Sequence, residues 1–175
     1  MKGEGILKTL VISAFPGSGK SFLVKHNKNC KLLFSDKDNG FLNYEHEFKE
    51  YANEIMDIIG KVDFLLISQY PEVLKILHEN GIPYIVVAPN NSPYLSSYMR
   101  NIIKQQWFGR FYLRKDSSDW MDLLYKNYDI WTSTSHLKSM KPSKIILLEG
   151  CEYLSDIIND LEELKILYGI DILND

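Results

Sequence analysis

The residues with the clearest chemical purpose are Ala14-Phe15-Pro16-Gly17-Ser18-Gly19-Lys20-Ser21. They follow an apolar run and open a helical pattern, the context that the phosphate-loop pattern G-x-x-x-x-G-K-[S/T] requires. Glycines there let successive backbone N–H groups turn inward around a phosphate. Lys20 would bridge the outer phosphates of a nucleotide, Ser21 would offer its hydroxyl to Mg²⁺, and the helix start adds a favourable dipole. Pro16, Gly17, Ser18, Gly19, Lys20 and Ser21 are therefore the expected ATP-binding residues. Ala14 stands where the pattern has its first glycine, which the loop tolerates if φ there is negative. Lys20 is expected to be solvent-accessible before a nucleotide binds and to contribute little to stability.

A second polar element, Ser35-Asp36-Lys37-Asp38, follows the second apolar run. Ligands of open α/β sheets bind at the carboxyl ends of strands, so these carboxylates are expected near the phosphate loop. Two of them one residue apart can divide the work of orienting an acceptor, taking up its proton and holding Mg²⁺. Asp-Lys-Asp-Asn-Gly is equally good turn chemistry and a source of helix N-caps. The third apolar run ends Leu66-Ile67-Ser68-Gln69 with no carboxylate, which speaks against a motor or switch ATPase.

The third constellation is cationic. Lysine is the default cation, and all three arginines, Arg100, Arg110 and Arg114, fall in one short stretch. Such restriction suggests a need for guanidinium geometry. Arg110 and Arg114 are four apart and would share one helix face. Arginines on a closing lid stabilise charge on a transferring phosphoryl group and exclude water; a solvated basic surface is the plainer alternative. Trp107, Phe108, Phe111 and Tyr112 alternate with these charges and are expected to pack a lid onto the body rather than stack on nucleic acid.

The elements that must position these groups alternate in type. Thr9–Ser13, Lys31–Ser35, Val62–Ser68, Pro83–Ala88 and Lys144–Leu148 read as five buried strands. Between them lie helical patterns over Ser21–Lys25, Leu42–Ile59, Glu72–Glu79, Pro93–Gln106 and Asp119–Tyr128, with Trp107–Ser118 basic, aromatic and irregular. A closing helix is expected over Tyr153–Tyr168; its leucine and isoleucine stripe either covers the sheet or pairs with a second copy. This is the signature of βαβ units and a doubly wound parallel sheet.

The 175 residues suit one domain spanning 1–175, with 93–130 as a lid or insert. With 45% hydrophobic and 25% charged residues, the chain can bury a core. A net charge of −3 argues against a nucleic-acid coat. No apolar run reaches a membrane span. Cys30 and Cys151 fit neither a disulfide framework nor a metal spacing, and a cytoplasmic location is expected.

Phe15-Pro16-Gly17-Ser18-Gly19-Lys20-Ser21, then Ser35-Asp36-Lys37-Asp38, the Arg110-x-x-x-Arg114 element, Trp120-Met-Asp-Leu-Leu and Asn127-Tyr128-Asp129 together resemble the small P-loop nucleotide kinases of bacteriophages. These are relatives of nucleoside monophosphate kinases and, more distantly, of shikimate and gluconate kinases. The resemblance implies a P-loop three-layer α/β fold, strand order 2-3-1-4-5 and a mobile lid between the fourth and fifth strands. It also implies ATP and Mg²⁺, with Ser21 and Asp36 on the metal, Asp38 on the acceptor, Lys20, Arg110 and Arg114 on the transition state, and Arg100 and Gly150 near the nucleotide. The acceptor it implies is a nucleoside monophosphate. The alternatives are another small hydroxyl compound, or a protein that binds a nucleotide without turning it over.

Overall fold

A computed structural model describes residues 9–26, 32–34, 44–157 and 163. Five parallel strands form one sheet: β1 (Leu10–Ala14), β2 (Leu32–Phe34), β3 (Phe64–Ile67), β4 (Tyr84–Pro89) and β5 (Lys144–Leu148). Their order is β2-β3-β1-β4-β5, the order implied by the resemblance. The register runs Leu10↔Phe64 and Ser13↔Ile67 between β1 and β3, and Val11↔Tyr84 to Ala14↔Val87 between β1 and β4. Every residue of β1, β3 and β4 is buried. Strands covered on both faces read as continuous apolar runs, which is why the sequence shows them so plainly.

The crossovers are α1 (Lys20–His26), α2 (Glu45–Ile58), α3 (Pro71–Glu79) and, between β4 and β5, α4 (Ser97–Arg114), α5 (Ser118–Trp131) and α6 (Thr134–Ser139). From β1 the chain crosses towards β2, and from β2 and β3 it crosses back the other way. Right-handed crossovers in opposite directions place their helices on opposite faces of the sheet. Accordingly α2 packs with α3, whereas α1 meets the 3₁₀ turn Leu154–Ile157 that follows β5. The change of direction occurs beside β1, and a crevice at the carboxyl ends of the strands is the usual ligand position of such a sheet.

Two expectations need correction. The stretch 107–114 is not irregular: it is the second half of α4, an unbroken helix of 18 residues. Its buried residues are Ile103, Trp107, Arg110 and Phe111. These form one helical face, but an arginine sits in the stripe and hides the periodicity. Secondly, α6 was not anticipated; Ser133 caps it by accepting a hydrogen bond from the His136 N–H. Of the expected closing helix, the described part begins as the 3₁₀ turn, and most of the remainder lies outside the described residues. No helix among the described residues is long and apolar enough to cross a membrane.

Candidate nucleotide site

The phosphate loop is built at the end of β1. Ala14 is the last residue of that strand and pairs with Val87, and it is absent from the positive-φ positions. A strand residue needs no glycine, so the departure from the pattern costs the loop no backbone freedom. Gly17 and Gly19, by contrast, have φ +80° and +90°. L-residues rarely adopt that region. Space enforces the same choice: a Cβ on Gly17 would lie 2.7 Å from Phe111 Cε1, and one on Gly19 3.1 Å from Tyr153 Cδ1. The Ser18 N–H closes a turn onto the Phe15 carbonyl at 3.2 Å. The Ser18 hydroxyl is buried without a hydrogen-bond partner among the described residues.

Lys20 opens α1 and is buried, with its ammonium donating to the Ala14 carbonyl at 2.8 Å. The expectation of a solvent-accessible lysine is therefore corrected. The loop curls back over β1, which places the strand's last carbonyl within reach of the ammonium. Ser21, the next residue, is exposed at the helix start.

The roof of the loop comes from α4 and from the segment after β5. Phe15 meets the Trp107 and Tyr128 rings edge-on at 5.8 and 6.0 Å. Trp107 and Phe111 are fully buried and Phe108 packs against the core, so these three fasten α4 to the body, whereas Tyr112 is exposed, against the expectation that it packs there too. Arg110 lies between the Trp107 and Tyr153 rings, 4.2 and 3.9 Å from their centroids. Its guanidinium donates to the carbonyls of Gly17 (3.1 Å), Gly150 (2.6 Å) and Glu152 (2.7 Å). Burial pulls its pKa below the ordinary arginine value, with Tyr153 opposing. The Leu154 N–H donates to the Ser18 carbonyl at 2.9 Å, a second tie between the same segments. Gly150 sits so close to α4 that a Cβ would overlap Gln106 Oε1.

The structure brings Pro16 to Ser21, Arg110 and Gly150 into one cluster. Arg114 is separate: it ends α4, is half-exposed and pairs with Asp116, Nη2 to Oδ2 at 2.5 Å. The two arginines thus share a helix but have different partners. Arg100 is half-buried in the first half of α4, with Nε unpartnered among the described residues. Asp36 and Asp38 lie outside the described residues. The strand before them pairs with β3, Phe34 opposite Leu66.

Tyr153 and Leu154 were expected only as the start of the closing helix and its apolar stripe, and Glu152 not at all, so none of the three was expected at the site. Nothing in their types announces a role, because two of them act through main-chain atoms. Gln69 was also missed as a candidate; its Nε2 is buried and without a partner among the described residues, just past the end of β3.

The donor chemistry fits a nucleotide with its magnesium. Backbone amides, a lysine and a serine hydroxyl suit phosphates, and Mg²⁺ commonly rests on substrate phosphates with few protein ligands. Among the described residues no group of three or more His, Cys, Asp or Glu could hold a metal alone.

No protein-family model matches the chain. A curated shikimate kinase of Caldicellulosiruptor bescii is 27% identical over 106 residues, which cover 49% of this chain and 62% of that protein. The chain thus spans less than two thirds of that relative's length. This similarity, with the sheet order and the phosphate loop, supports a P-loop kinase-like relationship.

Proposed function

We propose that this chain carries out ATP-dependent phosphoryl transfer to a small acceptor. The observation that carries the reading is the loop itself: two glycines at positive φ, Lys20 and Ser21 at the start of a helix, on the central strand of a P-loop-ordered sheet. The loop amides and the α1 N-terminus hold the phosphates. Lys20 leaves the Ala14 carbonyl for the outer phosphates, where its charge is worth more. Ser21, with Asp36, would hold Mg²⁺, which would supply positive charge to offset that of the phosphates. Asp38 orients the acceptor. Arg114, at the exposed end of α4, is proposed to leave Asp116 and meet the charge that develops during transfer.

Two acceptor classes fit. A nucleoside monophosphate follows from the resemblance of the motifs. A small hydroxyl compound is favoured by the similarity to a shikimate kinase. A screen of ATP consumption against all nucleoside monophosphates and a panel of small polyols and hydroxy acids decides between them. The reading expects turnover with one class and only background hydrolysis with the other. Tight nucleotide binding with no turnover on any acceptor would instead mark a binding protein.

A further inference from the structure

We infer that Arg110 is a positioning residue: by holding the Gly150–Tyr153 segment against the phosphate loop, it sets the direction in which the loop's Gly19 N–H faces a phosphate. This rests on the nucleotide-binding reading above. The premise is the geometry of a trans peptide, in which the carbonyl of one residue and the N–H of the next point in opposite directions. The Gly17 carbonyl accepts from Arg110, so the Ser18 N–H faces away from α4, where it bonds to the Phe15 carbonyl. The Ser18 carbonyl accepts from the Leu154 N–H, so the Gly19 N–H faces away from the 3₁₀ turn. Two successive peptide planes of the loop are thus held from outside.

Arg110 stands behind both. It bonds Gly17 directly, and through the Gly150 and Glu152 carbonyls it anchors the strand of chain that delivers Leu154. The ring centroids of Trp107 and Tyr153 both lie within 4.2 Å of the guanidinium carbon, and the rings limit how far it can move from its acceptors. Lysine could not replace it, because its three donors sit on one nitrogen, whereas the Gly17 carbonyl and the Gly150 and Glu152 carbonyls are served from two separate nitrogens of the guanidinium. A lid arginine that swings onto phosphate would have to break all three bonds. A positioning arginine keeps them throughout.

The experiment has two readouts on the wild type, Arg110→Lys, Arg110→Gln and, at the exposed rim, Tyr153→Leu. The first is amide hydrogen exchange without nucleotide. Removing the anchor should speed exchange at Leu154 by about ten- to a hundredfold, the scale of one hydrogen bond to a charged group, while β4 amides are unchanged. Tyr153→Leu should give a smaller rise at the same amide. The second is MgATP affinity at low and high salt. The lysine and glutamine variants should both bind about ten- to a hundredfold more weakly, with a variant-to-wild-type ratio that does not change with salt. A direct phosphate contact would give the opposite: lysine rescues, and the ratio falls as salt rises. Unchanged exchange at Leu154, or lysine rescue with salt dependence, overturns the inference while leaving nucleotide binding intact. Failure of the wild type to bind MgATP overturns both together.

Discussion

Arg114 and the aspartates after β2 are where single side chains should separate chemistry from scaffolding. Arg114 is half-exposed and, among the described residues, meets Asp116 and the Phe111 ring at its own helix end, so Arg114→Ala should leave folding and MgATP affinity nearly unchanged. If it meets charge in the transition state, turnover should fall, and Arg114→Lys should recover little of it. Full recovery with lysine would return Arg114 to a solvated surface role. Asp38→Asn should impair acceptor use and Asp36→Asn the response to Mg²⁺. Each should cost about 10²–10⁴ in rate if it acts as an acid–base or metal-orienting group. Steady-state kinetics across Mg²⁺ and acceptor concentrations reads both, and normal kinetics in both variants would leave the element a turn. At Gly17, alanine combines a positive φ with a Cβ 2.7 Å from Phe111. Gly17→Ala should therefore weaken MgATP binding and lower the thermal midpoint together.

At the scale of elements, the β4–β5 crossover is tied down by a buried tyrosine. Tyr84, on β4, donates its hydroxyl to the Met140 carbonyl just after α6. Burial pushes its pKa up to about 12. A phenol whose pKa is raised on folding contributes stability that is complete below about 10 and is lost as pH rises through 12. Denaturation midpoints should then fall between those two values, and Tyr84→Phe should flatten that fall. The same variant should cost about 1–3 kcal/mol near neutral pH by leaving a buried carbonyl unsatisfied. An unchanged alkaline profile would show that Tyr84 is not the group responsible.

Most elements were legible because burial on both faces writes β1, β3 and β4 as apolar runs, and glycines and prolines punctuate them. The Lys144–Leu148 strand was read with its observed ends, although it is an edge strand with exposed and half-buried residues. The C-terminal half of α4 was not legible. Its buried face includes Arg110, and a charge in a core stripe is recognisable only once its carbonyl partners are known. The phosphate loop could be read as a site because its chemistry is local in sequence. In the segment after β5 only Gly150 was expected near the nucleotide, from the resemblance; Glu152 and Leu154 were not, since they act through backbone atoms that say nothing in the sequence.

Across the whole molecule, the sheet order sets β1 between β3 and β4, and the phosphate loop, Arg110 and Gly150 gather at the carboxyl end of β1. The central claim is that this end binds a nucleoside triphosphate through Lys20. The most direct test is a calorimetric titration of MgATP into the wild type and Lys20→Met, each with a thermal melt. Methionine keeps the aliphatic stem and removes the ammonium. Losing the bond to Ala14 should lower stability by no more than about 1.5–3 kcal/mol. The account predicts saturable one-site binding by the wild type and at least about a hundredfold weaker binding by a folded Lys20→Met, on the scale of losing one charge-assisted contact to phosphate. Equal affinity in the two folded proteins, or no binding by the wild type, would contradict it.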